Sequence, residues 1–220
     1  WRADAAVSPE GQSPAPHTKA TRQDWIDLAL KTLISDGVEQ VKILPLSQSL
    51  QVSRSSFYWY FQSREDLLAA LLEIWAGTNT AAIVSRAERP CPSITDSVLA
   101  VFECFLDSTL FDPKLDFAIR EWSRRDPEIR RVVDQSDDIR MQALTKMFQR
   151  HGFDASDSFI RARILYYMQI GYYALDIAET LDERLAHSRN YLIGFTGEVP
   201  SQEALDRFIS FAKSNAHPTS

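Results

Sequence analysis

Five side chains near residue 54 have the chemistry needed to contact nucleic acid. Arg54 can donate two hydrogen bonds to one guanine edge, and Ser55 and Ser56 are short polar groups that let the backbone approach the bases. The hydroxyl groups of Tyr58 and Tyr60 suit phosphate oxygens. This pattern predicts a surface that contacts bases and phosphates together.

The charge around this run is opposite in sign to that of the whole chain. The net charge of −6 and the pI near 5.3 argue against a protein that coats nucleic acid indiscriminately. From Val41 to Arg64, however, there is no acidic residue, and Lys42, Arg54 and Arg64 give a local charge of +3. Such a local field attracts a phosphate backbone. The alternative is a chance gap between acidic residues.

Helix boundary signals precede this run. Thr21 and Asp24 have the spacing of a capping box, and the apolar stripe that follows them predicts a first helix that Gly37 ends. Pro45 suits the first turn of a short second helix that reaches about Leu50. The basic run therefore follows two helices and a brief turn.

The basic run itself is predicted to be a third, short helix from Arg54 to Phe61, with Ser53 as its N-cap. Five apolar side chains are expected on the inward side: Leu46, Leu50, Val52, Phe57 and Phe61. Three helices with a short, locally basic third one are typical of the helix-turn-helix, which places its recognition helix in the major groove.

The rest of the chain divides at prolines and capping residues. Ser63 and Asp66 form another capping box that begins a long helix, and Pro90 and Pro92 close it. The predicted divisions are a disordered arm over 1–20, a helix-turn-helix domain over 21–68, a connecting helix over 69–90, and a ligand-binding and dimerisation domain over 91–220.

Capping signals recur in the second half. Helices are predicted from Ser93 to about Leu110, Asp112 to about Arg124, Asp126 to about Arg150, Ser156 to about Leu181, Asp182 to Phe195, and Ser201 to about Lys213. No alternating strand pattern with hairpin turns occurs. We therefore expect an all-α protein of about nine or ten helices.

Signals for catalysis, metal binding and membranes are weak. Cys91 and Cys104 lie too far from any histidine to suggest zinc, and we interpret them as reduced thiols of a cytoplasmic protein. No glycine-rich phosphate loop, nucleophile elbow or HExxH pattern occurs, so we expect no cofactor, no metal and no enzyme activity. No apolar run approaches the roughly 18 residues of a membrane span.

The stretch from Val41 to Leu68, VKILPLSQSLQVSRSSFYWYFQSREDLL, resembles the signature of the TetR family of bacterial repressors. That signature has a short helix, a Gly-Val-Ser turn, a Lys-Gly-Ser/Thr-Leu/Phe-Tyr helix, His-Phe, and then Ser-Lys-Glu-x-Leu-Leu. The match extends over 21–68, and this chain has the family's Ser-Phe-Tyr-Trp variety at 56–59. The segment Arg120-Glu121-Trp122, with Arg125-Asp126-Pro127, is similar to the ligand domain of that variety.

The chain departs from the signature at four positions. Gln51 replaces the glycine of the turn, and Ser55 replaces the glycine of the recognition helix. Tyr60 replaces the histidine, and Lys42 replaces the threonine before the second helix. A glutamine in the turn tolerates positive φ less readily than glycine does.

The resemblance implies roles for particular residues. Arg54, Ser55 and Ser56 would read bases, and the phosphate contacts would be Lys42, Tyr58, Tyr60 and Arg64. For the second domain it implies a small-molecule pocket and a dimer surface. Aromatic and polar side chains predict the pocket at Phe102, Phe105, Trp122, Tyr166, Gln169 and Tyr173. Small residues predict the dimer interface at Gly171, Ala174 and Ala178. Core packing within one subunit is the alternative for both sets.

Taken together, these patterns predict a cytoplasmic homodimer that binds palindromic double-stranded operator DNA and is released by a small-molecule effector. One alternative is a helical ligand-binding or adaptor protein that has lost DNA binding, which the residues Gln51 and Ser55 favour. The other is an α-helical enzyme that uses the aromatic pocket.

Overall fold

The structure, a computed structural model, describes residues 19–175 and 177–215, so the predicted disordered arm lies outside them except for its last two residues. The described residues form eleven α-helices and no β-strand, which confirms the all-α prediction. The α-helices are α1 Arg22–Asp36, α2 Ile43–Ser49, α3 Arg64–Trp75, α4 Ala81–Glu88, α5 Ile94–Leu106, α6 Pro113–Ser123, α7 Pro127–Arg150, α8 Ala155–Ala174, α9 Leu181–Ala186, α10 Ser188–Thr196 and α11 Gln202–Asn215. Two 3₁₀ segments, Val38–Gln40 and Arg54–Trp59, and a π-helical turn, Ala76–Thr80, complete the helical structure.

Most of the predicted capping residues begin the predicted helices, but α8 and α9 are capped by Asp154 and Thr180 instead of beginning at Ser156 and Asp182. The Thr21 hydroxyl accepts from the Asp24 backbone N–H, and the Asp24 carboxylate accepts from the Thr21 backbone N–H, so the capping box is complete. Ser63 and Ser93 accept from the third residue of their helices. Asp112 and Asp126 do the same ahead of a proline in the first turn, where a missing N–H costs nothing.

Three predictions for helices in the second half of the chain are wrong: two helix ends and one undivided helix. α5 ends at Leu106 rather than near Leu110, because the Asp107 side chain accepts from the backbone and hydroxyl of Thr109 and turns the chain. α8 ends at Ala174 rather than near Leu181. The predicted helix from Asp182 to Phe195 is two helices, α9 and α10, which meet at His187.

Two hydrophobic cores lie along the chain. The N-terminal core contains the fully buried Trp25, Phe57 and Leu71, and the second core is built around α5, α7 and α8. The N-terminal core also takes Leu115 and Ile119 from α6, so this helix of the second domain packs directly on the helix-turn-helix. The two predicted domains are therefore in contact through α6 as well as through the connecting helix.

The connecting helix is continuous from Arg64 to Glu88 and includes α3, the π-helical turn and α4. It is 25 residues long and contains an 18-residue window with a mean hydropathy of 1.5, which would suit a membrane span by length and composition alone, contrary to our expectation that no segment would. Leu71 and Trp75 are fully buried in one core, and Ile83 is fully buried in the other. Packing within the protein therefore accounts for this apolar character.

Candidate nucleic-acid interface and the helical domain behind it

The turn between α2 and the basic run contains a backbone conformation that L-residues seldom adopt. Gln51 has φ of 55°, and no other described non-glycine residue has positive φ. Its N–H donates to the Gln48 carbonyl, and that of Val52 donates to the Ser47 carbonyl, so the turn is closed by backbone bonds. Gln51 thus keeps the geometry that glycine usually provides, at a cost in backbone strain.

We expect substitutions at Gln51 to rank by their tolerance of positive φ. Gln51→Gly should raise the free energy of unfolding by about 1 kcal/mol, and Gln51→Val should lower it by about 1 kcal/mol, because a β-branched side chain crowds the left-handed conformation. Urea unfolding measures both. Equal stability of the two variants would show that the strain at Gln51 is negligible.

The basic run forms a 3₁₀ helix, Arg54–Trp59, here named the recognition helix. It is shorter and more tightly wound than the predicted helix to Phe61. The fully buried Phe57 anchors it, with ring centroids 5.2 Å from Trp25 and 5.3 Å from Phe61. The side chains of Arg54, Ser55, Tyr58 and Trp59 are exposed, as is that of Lys42. Tyr60 is half-buried and packs against the N-terminal core.

Two serines differ from their predicted roles. Ser53 occupies the N-cap position, but its hydroxyl lies 2.9 Å from that of Ser55 and makes no capping bond. Ser56 was predicted to read bases, but it is buried and its hydroxyl donates to the Ser53 carbonyl at 2.7 Å. The Ser53 carbonyl also accepts from the Ser56 N–H, which is the i to i+3 bond of a 3₁₀ turn. Ser56 therefore shapes the start of the recognition helix rather than facing outward.

Arg64 is also placed differently from its prediction as a phosphate contact. Its guanidinium donates to the Val41 carbonyl through Nε and to the Val38 carbonyl through an Nη atom, both at 2.6 Å. These carbonyls lie in the connection between α1 and α2. Arg64 therefore ties the beginning of the connecting helix to the helix-turn-helix.

Arg64→Ala should consequently lower the free energy of unfolding by about 2–3 kcal/mol, because two charge-assisted hydrogen bonds are lost. Lys42→Ala is the matched control, since it removes the same charge from an exposed side chain and should change stability by less than about 0.5 kcal/mol. Denaturant unfolding without DNA compares the two. Equal stability of these variants would contradict the structural role of Arg64.

Trp59 is a candidate contact that the sequence analysis did not single out. Its side chain is 65% exposed, and the Lys19 ammonium lies 5.5 Å from its ring centroid. The available signal was its position between the inward-facing Phe57 and Phe61, which directs Trp59 to the other side. A large exposed aromatic side chain beside a cation can pack against the sugar-phosphate backbone.

A cavity of about 60 Å³ lies in the second domain between α5, α8, α9 and α10. Three of the predicted pocket residues line it: Phe102, Phe105 and Gln169. Tyr173 lies behind Phe105, where it stacks on Phe111 and donates to the Phe105 carbonyl at 3.2 Å. Trp122 does not line this cavity and faces a separate groove between α1 and α6.

Tyr166 belongs to a buried polar cluster rather than to the cavity. Its hydroxyl donates to Asp137 at 2.6 Å and accepts from Arg120 and Arg140 at 3.0 Å each. Desolvation raises the pKa of this hydroxyl, so it stays protonated. Tyr166 therefore joins α8 to the charged groups of α6 and α7.

At the centre of this cluster is Asp116, which is only 1% exposed. It accepts from Trp75 Nε1 at 2.8 Å, from Arg120 at 2.7 Å and from the fully buried Arg140 at 3.0 Å. Burial alone would raise the pKa of Asp116, but the guanidinium groups of Arg140 and Arg120 hold it below its ordinary value. The cluster thus fastens the connecting helix, through Trp75, to three helices of the second domain.

The small residues predicted to form the dimer interface do not share one helical face. Gly171 and Ala174 lie at the end of α8, whereas Ala178 follows the helix in irregular structure. A different surface of α8 is apolar and exposed. It is formed by Phe159, Ile160, Ile164 and Tyr167, which are 45–51% exposed.

This surface, here named the α8 face, was missed because apolar residues occur on more than one side of α8, so the sequence does not show which of them stay exposed. Its members recur at helical spacing, and Arg163 packs over the rings of Phe159 and Tyr167. Exposed apolar groups in one contiguous patch mark an interaction surface more often than isolated ones do.

Comparison with known proteins agrees with the geometry of the N-terminal domain. Residues 26–71 match the family model of bacterial regulatory proteins of the tetR family. An HTH-type transcriptional regulator of Pseudomonas putida, TtgW, is 33% identical over 58 residues, which cover 26% of this chain and 43% of that protein. The aligned region therefore spans less than half of this relative.

Solved structures resemble the whole fold. A TetR-family transcriptional regulator from Mesorhizobium loti has a TM-score of 0.54 at 14% identity, covering 86% of this chain and 95% of its own. The fatty acid degradation regulator FadR from Bacillus halodurans has a TM-score of 0.58 at 15% identity, covering 87% of this chain and 100% of its own. The N-terminal domain therefore resembles those of the tetR family of bacterial regulatory proteins, and the whole chain has the same fold as these solved structures.

Proposed function

We propose that the protein is a transcriptional regulator whose recognition helix binds the major groove of operator DNA. The observation that carries this proposal is the recognition helix itself, in which buried Phe57 fixes the backbone while Arg54, Ser55 and Tyr58 project outward. Arg54 would read a guanine, and Lys42 with the tyrosine hydroxyls would hold phosphates. The protein acts by binding, and catalysis has no part in the proposal.

A dimer is part of this function, because one short helix makes too few base contacts for a specific site. Two recognition helices on a two-fold axis would read two half-sites about one helical turn apart, which gives a palindromic operator. The α8 face is the surface that we assign to this homodimer, since a two-fold axis brings equivalent apolar side chains together. Gly171 lies near the end of the same helix, where it would allow a close approach.

We further propose repression that a small-molecule effector relieves. α8 carries the α8 face, Gln169 at the cavity wall, and Tyr166 in the polar cluster that holds Trp75 of the connecting helix. A ligand that shifts α8 would therefore change both the angle between subunits and the anchoring of the connecting helix. To release DNA, the effector has to bind the DNA-incompetent state more tightly. A cytoplasmic location follows from this role.

Fluorescence anisotropy of the purified full chain with labelled DNA from the promoter beside its own gene tests the proposal. We expect nanomolar binding that weakens steeply with salt and that exceeds binding to scrambled DNA by at least about 10³-fold. Equal, weak binding to both DNAs at low salt would favour the adaptor alternative. Turnover of a bound small molecule would favour the enzyme alternative.

A further inference from the structure

The connecting helix is wider than an α-helix at one place, the π-helical turn Ala76–Thr80. There the N–H of Ala81 donates to the Ala76 carbonyl, five residues back. Turns of this type are rare and often mark functional positions. Apart from its alanine, the sequence of the turn, AGTNT, consists of residue types that favour helices weakly. Contacts with the rest of the protein are therefore needed to hold the turn.

The first of these contacts is with Arg140 of α7, which is fully buried. Its guanidinium carbon lies 5.1 Å from the Trp75 ring centroid, and its Nε donates to the Thr80 hydroxyl at 3.0 Å. In an α-helix, residues five apart are rotated by about 140°, so Trp75 and Thr80 would face different sides. The i to i+5 bonding of the π-helical turn places them one above the other, and Arg140 contacts both.

The second contact is made by Asn79, which is also fully buried. Its Nδ2 donates to the Asp112 carbonyl at 2.8 Å, and its Oδ1 accepts from the Asp112 N–H at 3.1 Å. Asp112 is the N-cap of α6, and α6 packs on the helix-turn-helix through Leu115 and Ile119. The inner side of the π-helical turn is thus fastened to the helix that supports the helix-turn-helix.

The outer side of the turn faces solvent. Gly77 and Thr78 are exposed, and the Thr78 hydroxyl donates to the Ile74 carbonyl of the same helix at 2.8 Å. Helices bend at π-helical turns. Because the inner side of this turn is fixed and the outer side is exposed, the inner contacts set the angle between the two halves of the connecting helix.

We propose that the π-helical turn is a hinge of the connecting helix, and that Arg140 and Asn79 hold it at the angle at which the two recognition helices of a dimer match two half-sites. The proposal rests on the operator binding proposed above and adds the residues that set the separation of the recognition helices. Arg140 also donates to Tyr166 of α8, so a movement of α8 would reach the hinge through this guanidinium. Asn79, Thr80 and Arg140 are positioning residues, because they are buried and act through the connecting helix.

Thr80→Val tests the hinge, since valine keeps the shape of the side chain but cannot accept from Arg140. Thr78→Val is the matched control, because it makes the same change on the solvent side of the same turn. Hydrogen exchange of the full chain without DNA should show amides of the turn exchanging at least about tenfold faster in Thr80→Val, the effect of one lost hydrogen bond to a charged group. Thr78→Val should change exchange by less than about twofold. Equal exchange in the two variants would overturn the proposal.

Operators of altered spacing give a measurement that a general loss of stability would not change. One added base pair moves the half-sites apart by about 3.4 Å. With the inverted repeat that the parent selects from random DNA, the parent and Thr78→Val should bind about tenfold more weakly after one base pair is added at the centre. Thr80→Val should bind both spacings within about twofold, with unchanged affinity for DNA that carries one half-site. An unchanged spacing preference in Thr80→Val would overturn the proposal.

Deletion of Gly77 provides a rescue. It shortens the wide turn to an α-helical one and leaves Trp75 and Thr80 four apart, so both still face Arg140. Since a regular turn lacks the hinge, the deletion combined with Thr80→Val should regain the parent's spacing preference, and a combined variant that tolerates both spacings would overturn the proposal. A parent chain that selects no operator would instead contradict the proposed function, and the hinge is then judged by hydrogen exchange, which needs no DNA.

Discussion

Replacement of Asp116 by alanine is expected to lower the free energy of unfolding by about 3–5 kcal/mol, because it leaves a fully buried guanidinium without its carboxylate. Arg140 is 0% exposed, and its Nη1 donates to Asp116. The Trp75 indole and Arg120 lose an acceptor in the same variant. The cost exceeds that of an ordinary cavity because the charge of Arg140 is fully buried and cannot reach water.

Urea unfolding of the parent and variant measures this loss. Asp116→Asn is the matched control, since it keeps the shape of the side chain and one acceptor oxygen but removes the charge. Its free energy of unfolding should lie between those of the parent and of Asp116→Ala. Asp134→Ala provides a second control, because the ion pair of Asp134 with Arg130 is largely exposed and should contribute less than about 1 kcal/mol. A loss at Asp116 no larger than at Asp134 would show that the buried cluster contributes little to stability.

The same carboxylate gives a pH dependence. The pKa of Asp116 in the folded protein lies below its ordinary value of 3.8, with burial opposed by the charges of Arg140 and Arg120. Its contribution to stability is therefore complete above pH 3.8, the unfolded value, and is lost as the pH falls through the lower folded value. Asp116→Asn should remove this part of the acid destabilisation.

The second large effect is expected at the α8 face. Ile164→Asp places two like charges at a two-fold contact and should therefore yield a monomer. Because Ile164 is 51% exposed on that face, the aspartate stays in water in the single subunit. Operator affinity should then fall by about 10³-fold, towards the non-specific level, because only one half-site is read at a time. The fold of the single subunit should be unchanged.

Analytical ultracentrifugation and DNA anisotropy on the same samples measure both consequences. Val199→Asp is the matched control, because Val199 is 64% exposed and lies outside α8, so the same charge change should leave the dimer and DNA binding intact. A dimeric Ile164→Asp with unchanged affinity would contradict our assignment of the interface.

The helical frame could be predicted because its signals are local. Thr21, Ser63, Asp112 and Asp126 act on backbone groups within four residues of themselves, so their types and spacing suffice to identify helix starts. The exposed Arg54 could be inferred in the same way, from its position beside an anchoring Phe57.

The errors have non-local causes. Arg64 bonds to carbonyls 23 and 26 residues away, and Asp116 pairs with a guanidinium 24 residues away, so neither partner is visible in the local pattern. Tyr166 was assigned to the pocket because its aromatic type suits a pocket wall. Its direction depends on how α8 packs against α6 and α7, which periodicity does not determine.

Ser56 shows a subtler failure. The Ser56 side chain would point in a different direction in an α-helix than in the 3₁₀ helix that forms. The reason is that an α-helix has 3.6 residues per turn and a 3₁₀ helix has 3.0. The hydroxyl bond from Ser56 to Ser53 belongs to that tighter turn. The 3₁₀ geometry therefore buries Ser56 and leaves the adjacent Ser55 exposed.

Two recognition helices of one dimer should read a palindromic site, and selection of binding sites from random double-stranded DNA would recover that site. The parent chain should select an inverted repeat with half-site centres about one helical turn apart. Arg54→Ala should lose the preference at one symmetric pair of positions at a cost of about 1–3 kcal/mol, whereas Lys42→Ala should weaken all sequences alike. Selection of no repeat, or an Arg54→Ala variant that selects the parent's sequence with unchanged preference, would show that the protein does not read DNA in this way.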